Sequence, residues 1–399
     1  MRHLKWPVIG RCKDSVEVKA EDAQKDSGIN DGGFMKRRKI KMLFTSDWHL
    51  NDSSLLDSKI GNKLFDLKLK AINSIRRHAH KTGVTDFFIL GDIFHKPDPS
   101  SRMRLMFWEF VDSLLENKDI TLHIVVGNHD SHGEFGSGVM DEMKLLADSK
   151  MLRQINIYKC FSSIDIGETK ILIAPWGAEK TQYFEPTMRA DILLGHFSIG
   201  GFKMSDGYVY HDKEINSQKI RKLQFNHCIM GHLHIPQDYK NMHYCGSPYP
   251  ITFNEAGLER KRFITYDPSD DGIGSVEIPD DCTFRLASID LDKCEQIPNI
   301  ESYVNSIVHL LYTDRTSDSK LETYFDYFRV DSNVLYTEVI KKSEQVAVSP
   351  VSMELNENNV MSGLAEYVRE AYKSKTLVNK AKNILRRAES DFSEMSKDT

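Results

Sequence analysis

The first regular feature of the chain is a short apolar run, Met42-Leu43-Phe44, that stops at Ser46-Asp47, as a strand entering a loop does. Leu64, Leu67, Ala71, Ile72 and Ile75 then recur at helical spacing and predict a helix of about five turns with one buried face. Phe87-Phe88-Ile89-Leu90 reads as a second strand ending in Gly91-Asp92. A helix rich in Met, Phe and Leu follows at 102–116, and Leu122–Val126 makes a third strand ending in Gly127. Asp191–Gly195 and Cys228–Gly231 repeat the pattern. Four times, an apolar strand is followed by glycine and then by a polar residue of metal-binding type. Strands apolar on both faces, alternating with helices, predict an α/β protein of layered sheets with its ligand groups at strand C-terminal ends.

The flanks have a different texture. Residues 1–40 show no period, are rich in Asp, Lys, Gly and Ser, and read as a disordered basic extension. Its run Lys36-Arg37-Arg38-Lys39-Ile40-Lys41 reads as a solvated lead-in to the first strand, with a nucleic-acid arm or targeting signal as the alternative. Met35 and Met42 both precede the first clear element, which leaves open whether residues 1–34 belong to the native product. The central domain spans 41–280, and mixed strand-like and helical runs at 281–342 predict a smaller α+β region without a chemical motif. Residues 343–358 read as a linker, and 359–399 as helical, with an apolar stripe of Leu377, Ala381, Ile384, Leu385, Ala388 and Phe392.

Charge complicates any expectation of a polyanionic partner. Residues 1–41 carry eleven Lys/Arg against six Asp/Glu, so the rest of the chain is more acidic than the overall net charge of −5. Non-specific binding to nucleic acid rests on phosphate neutralisation by Lys and Arg. Such a body must therefore bring cations at its site, concentrate basic residues locally, or use a partner's surface. The six cysteines include no C-x-x-C pair, which excludes a zinc ribbon and a disulfide framework and fits a reducing cytoplasm. No stretch approaches the length of a membrane span, and the N-terminus has no secretory h-region.

Five motifs carry the chemistry: Asp47-Trp48-His49, Gly91-Asp92, Gly127-Asn128-His129-Asp130, Gly195-His196 and Gly231-His232-Leu233-His234. In extended backbone the pairs Asp47/His49 and His232/His234 would each point to one side, so that one strand end offers two ligands. Carboxylate, imidazole and amide donors without thiolate suit Mn, Fe, Zn or Mg, and argue against a structural zinc site. Two divalent ions held by two carboxylates would keep a net positive charge able to attract a phosphodiester. Each motif alone is common, but the ordered set of five, each after a strand, is not.

In this order the motifs resemble the calcineurin-like metallophosphoesterase superfamily. Gly91-Asp92-Ile93-Phe94-His95, Gly231-His232-Leu233-His234-Ile235-Pro236-Gln237 and Gly246-Ser247-Pro248-Tyr249-Pro250 narrow the resemblance to SbcD-type DNA repair nucleases. Gly195-His196 followed by Gly200-Gly201-Phe202 is similar to the recombination endonuclease subunits of large tailed phages. The likeness covers about residues 42–270. It implies a layered metallophosphoesterase sandwich, with 281–342 as a capping domain and C-terminal helices. It also implies one metal on Asp47, His49 and His234, a second on Asn128, His196 and His232, and Asp92 bridging them. His129 would be the general acid for the leaving oxygen. His95 would orient the DNA phosphate, or else serve only as a hydrogen bonder behind the ligands.

The activity so implied is a Mn-dependent DNA nuclease, with Mg possible: a 3′→5′ exonuclease on duplex ends and a single-strand endonuclease. Its partner would be an SbcC-like coiled-coil ATPase, in a heterotetramer built on a homodimer, acting in recombination, repair and replication. The 359–399 segment would dock on the ATPase, or else pack on its own domain. A phosphomonoesterase or nucleotide phosphodiesterase would use the same ligands. A scaffold without activity would be expected to have lost some of them. Lys96, Arg102, Lys203 and Arg262 are candidate phosphate contacts near the motifs.

Overall fold

The computed structural model describes residues 39–51, 59–132, 138–148, 154–177, 189–204, 208–212, 215–257, 260–331 and 333–342. The basic run before Lys39, the linker and the helical segment at 359–399 lie outside them. Two six-stranded sheets form the body. In the first, β1 (Met42–Thr45), β2 (Asp86–Leu90), β3 (Thr121–Val125) and β4 (Ile155–Tyr158) run parallel, while β11 (Arg262–Asp267) and β12 (Gly272–Glu277) extend it antiparallel beyond β1. The second has the order β5 (Ser162–Ile166), β6 (Thr169–Ala174), β7 (Ile192–His196), β8 (His227–Gly231), β10 (Met242–Tyr244), β9 (Gln237–Tyr239). Strands β6, β7, β8 and β10 are mutually parallel, and β5 and β9 close the edges antiparallel.

The layers follow from which faces are apolar. One core lies between the sheets, where Met42, Phe44, Phe88, Leu90 and Val125 meet Ile171, Ile173, Ile192, Leu194 and Ile229. The opposite face of the first sheet is covered by α1 (Lys59–Thr82), α2 (Ser101–Leu115) and α3 (Val139–Asp148). The opposite face of the second packs residues of α4 (Ser217–Lys222) and the loop after β7. Central strands are therefore buried on both faces, which is why they read as unbroken apolar runs. Helix α1 is longer than its stripe suggested, at 24 residues. Ala79 continues the buried face for a further turn, and Gly83, with φ of +72°, ends the helix.

Strands β13 (Arg285–Asp290), β14 (Ser306–Tyr312) and β15 (Tyr336–Lys341) form a third sheet, with α5 (Asp318–Val330) between β14 and β15 in the chain. Leu286 and Leu335 of this region join the core that also holds α1 and α2. The described residues divide into two compact units, the first containing those up to Ile340 except Tyr312–Arg315. In the second, the Lys342 amide donates to the Tyr312 carbonyl at 2.8 Å and Lys341 pairs with Asp314 at 2.5 Å.

Candidate metal centre

The parallel strands of both sheets deliver their C-terminal ends to one rim. Strand β1 leads into Asp47-Trp48-His49, β2 into Asp92, β3 into Asn128-His129, and β8 into His232-Leu233-His234. His196 is the last residue of β7 itself. These donors assemble as two groups, Asp47/His49/His234 and Asp92/His196/His232, the donor atoms within each lying within 4.8 Å of one another. Asn128 Oδ1 joins the second group, 3.1 Å from His196 Nε2 and 3.0 Å from His232 Nδ1. Asp92 Oδ2 faces both, 3.3 Å from His196 Nε2 and 3.5 Å from His49 Nε2. All seven expected ligands are thus brought together.

The backbone that does this is not the extended one expected from the Asp-x-His and His-x-His spacings. Asp47, His49, Asp92 and His232 have φ of 55°, 43°, 54° and 85°, in the left-handed region. They are half of the eight non-glycine residues with positive φ among the described residues. Such conformations are unfavourable for side chains larger than glycine and persist only where surrounding contacts enforce them. Here those contacts are visible. The Asp47 and His49 amides donate to the Gly91 and Asp92 carbonyls at 3.0 and 2.9 Å, stitching the first loop to the second. The His232 amide donates to both Asp47 carboxylate oxygens at 3.1 and 3.0 Å, joining the two sheets through one ligand.

Asp130 acts as a clamp beneath the site. Fully buried, its carboxylate accepts from the amides of Asp92 (2.8 Å), Gly127 (3.0 Å), Ile93 (3.0 Å) and Phe94 (3.3 Å). The loops after β2 and β3 are therefore held as one body. Gly91 and Gly127 permit the closeness: an added Cβ at Gly91 would overlap His196 Nδ1, and one at Gly127 would overlap the Asp92 carboxylate.

Ring orientations are set from behind. His196 Nδ1 donates to the Leu90 carbonyl at 2.7 Å, which aims Nε2 at Asp92 and Asn128 as the nitrogen available to a metal. His49 Nε2 and His234 Nε2 approach to 3.1 Å, a spacing for ring nitrogens converging on a shared centre. His129 sits beside this pair, its amide on Asp92 Oδ1 at 2.9 Å and its Nδ1 on the His95 carbonyl at 2.9 Å. The His95 ring stacks on that of His129 at 5.4 Å, and His49, His95 and His129 together form a third close group of ring nitrogens.

The electrostatics are those of a buried cluster of opposed charges. Burial pushes the Asp47 carboxyl up and holds the His49 and His232 imidazoles down, to about 2 and about 3. Burial alone would lower His196 too, but Asp92 beside it outweighs this and lifts the imidazole to about 10. Asp92 is correspondingly held well below the usual carboxylate range, because its contact with His196 and His49 overrides the cost of burial. Burial and the nearby Asp92 charge raise Asp130 to about 7, against the amides that favour its ionised form. Imidazole nitrogens and carboxylate oxygens converging on two points, with the His196 proton given up on binding, fit two divalent ions of the Mn, Fe, Zn or Mg type.

Of the candidate phosphate contacts, Lys96, Arg102 and Lys203 are exposed, with the Arg102 guanidinium 4.5 Å over the Phe65 ring. Arg262 is a correction: it pairs with Asp238 at 2.5 and 2.8 Å and donates to the Tyr244 carbonyl at 3.0 Å. It fastens β11 to β9 and β10. Asp130 stood inside a recognised motif without a role, and Glu255 and Lys261, behind His234, were not singled out at all. The spacing Thr252-x-x-Glu255, of helix-start type, was the available signal for Glu255. Lys261 had none.

Residues 40–236 match the Calcineurin-like phosphoesterase family, a span that contains all seven expected ligands. The chain is 23% identical over 305 residues to Exonuclease subunit 1 of Enterobacteria phage T4, covering 71% of this chain and 86% of that protein. A solved protein of Thermus thermophilus is similar at 13% identity and a TM-score of 0.36, over 60% of this chain and 100% of its own. A purple acid phosphatase from yellow lupin seeds (Lupinus luteus) is similar at 13% identity and a TM-score of 0.35, over 59% of this chain and 52% of its own. No helix among the described residues is long and apolar enough to cross a membrane.

Proposed function

We propose that this chain, which carries a calcineurin-like metallophosphoesterase domain over residues 40–236, is the nuclease subunit of a DNA-processing assembly. The observation that carries the reading is Asp92 Oδ2, which faces His196 Nε2 of its own donor group at 3.3 Å and His49 Nε2 of the other at 3.5 Å, as a carboxylate shared by two ions would. Asp47, His49 and His234 would hold one ion and Asn128, His196 and His232 the other. When bound, the two ions supply positive charge for the phosphoryl oxygens and lower the pKa of water. DNA as the substrate rests on the phage exonuclease subunit, whose similarity spans most of both chains.

The chain's own groups then do the following. His129, its Nδ1 tied to the His95 carbonyl, presents Nε2 as the atom that gives a proton to the departing sugar oxygen. His95, stacked on it and half-buried, orients a phosphate oxygen at the mouth of the site. Lys96, Arg102 and Lys203 offer local phosphate contacts on an otherwise acidic protein. The remainder of the DNA surface is the work of an ATPase partner of the SbcC-like type, reached through residues 359–399 in an assembly with two copies of each chain. Mn is the preferred ion, with Mg the alternative.

The test is a comparison of substrates. Purified full-length chain, stripped of metal and resupplied with Mn or Mg, is given blunt duplex DNA, single-stranded circles and p-nitrophenyl phosphate, with and without the ATPase. Mn-stimulated release of nucleotides from duplex ends, lost in His129→Asn while metal uptake persists, is the expected outcome. Turnover of p-nitrophenyl phosphate alone would move the assignment to a phosphomonoesterase.

A further inference from the structure

Glu255 and Lys261 form a buried charged pair that none of the chemistry above uses. Their side chains are 1% and 9% exposed, and Lys261 Nζ lies 2.5 Å from Glu255 Oε2. Lys261 Nζ also donates to the His234 carbonyl at 2.9 Å and lies 2.9 Å from Ser247 Oγ, so it grips the loop that carries His234. The other carboxylate oxygen, Glu255 Oε1, accepts from the Thr252 and Ile251 amides at 2.9 and 3.1 Å. That same oxygen faces His234 Nδ1 at 3.5 Å, and Nδ1 is a buried atom with no hydrogen-bond partner closer. On its outer side the pair helps to wall a cavity of about 480 Å³ that is also lined by Phe284, Leu286 and Ser306 of the third-sheet region.

The arrangement has a chemical consequence for a ligand imidazole. A histidine that binds metal through Nε2 carries its proton on Nδ1, and a carboxylate facing Nδ1 fixes both the tautomer and the ring plane. His196 receives this service from a backbone carbonyl, whereas among the described residues His234 has only Glu255 in position to supply it. A buried carboxylate needs a counter-charge of its own, and Lys261 is placed to be that charge.

We propose that Glu255, anchored by Lys261, is a positioning residue that orients His234 for metal binding, in contact with the wall of the cavity beside the third sheet. This rests on the two-metal reading of the site. Loss of a carboxylate of this kind weakens metal affinity by about 10–100-fold.

The experiment is Mn titration of the metal-free full-length chain by calorimetry, with the absorption spectrum of the Co-loaded protein as a second readout. Wild type should take up two ions. Glu255→Gln should bind one of them about 10–100-fold more weakly and shift the Co spectrum, and Glu255→Asp should recover part of the loss. Because Glu255→Gln leaves Lys261 buried and unpaired, a neutral double variant, Glu255→Gln with Lys261→Met, separates folding from positioning. It should regain the metal-free thermal midpoint of wild type but not the affinity. Glu277→Gln, which removes the exposed partner of Arg260, should match wild type in both respects. Wild-type affinity and spectrum in the double variant would overturn the inference and leave Glu255 as a structural ion pair. A wild-type chain that takes up no ion would defeat the two-metal reading itself, and this inference with it.

Discussion

His196 and His234 present ring nitrogens to the same rim from neighbouring strands of one sheet, yet they are built differently. His196 ends β7, is fully buried, and has its ring fixed by the Leu90 carbonyl across the gap between the sheets. His234 lies in the loop after β8, and its ring faces a side-chain carboxylate that itself depends on a lysine. A backbone carbonyl cannot be mutated away, whereas a carboxylate can. The β7 side of the site is therefore robust to substitution of its surroundings except where backbone must approach it closely, and the β8 side is exposed to changes several residues away.

The largest expected effect removes what the two sides share. Asp92→Asn should weaken both ions together and lower phosphoester turnover by about three orders of magnitude, roughly 4 kcal/mol of barrier. Loss of only one ion in a calorimetric titration would show that the two groups do not share this carboxylate. Gly91→Ala tests the close approach on the β7 side. Its Cβ would meet His196 Nδ1 at a backbone φ of +87°, so about 1–3 kcal/mol of stability should be lost along with the His196-side ion. The His234-side ion should remain.

Asp130→Ala leaves the amides of Asp92, Ile93, Phe94 and Gly127 without their acceptor, and should cost about 2–4 kcal/mol in chemical denaturation. Asp130→Asn should recover only part of this, since its amide nitrogen cannot accept from those donors.

The pH dependence sharpens the comparison further. With its folded pKa raised to about 10 from 6.5, His196 stabilises the metal-free chain fully below about pH 6.5, and this stability is lost as pH rises toward 10. The metal-free thermal midpoint should fall across that window. Metal must displace the His196 proton, so Mn affinity should rise with pH over the same range, and proton release should appear in buffers of different ionisation heat. His49 and His232, held down to about 2 and about 3, release none.

The smallest effect is that of Tyr249→Phe, which removes the hydroxyl donated to the Trp48 carbonyl. About 1 kcal/mol should be lost, with metal uptake unchanged.

Much of this fold was legible in the sequence because the central strands are apolar on both faces and four of them run into a glycine and a ligand. Strands β2, β3, β7 and β8 announce themselves in that way, and β1 by its apolar run into Ser46-Asp47. The edge strands β5 and β12 do not, since their residues are partly exposed and lack the apolar run. The seven expected ligands were readable as residue types in order, but the geometry behind them was misjudged. Extended backbone was the natural expectation for Asp47/His49 and His232/His234, whereas four ligands occupy left-handed backbone that long-range hydrogen bonds enforce.

Local chemistry alone determined which residue types would meet at strand ends, because periodicity, glycine placement and donor type are properties of neighbouring positions. What only the tertiary structure decided is which atoms face one another across the two sheets. Asp92 between His49 and His196, Asp130 beneath four amides, and Glu255 behind His234 each join residues from separate segments. No spacing along the chain encodes such contacts, since burial and the closure of one sheet upon the other create them.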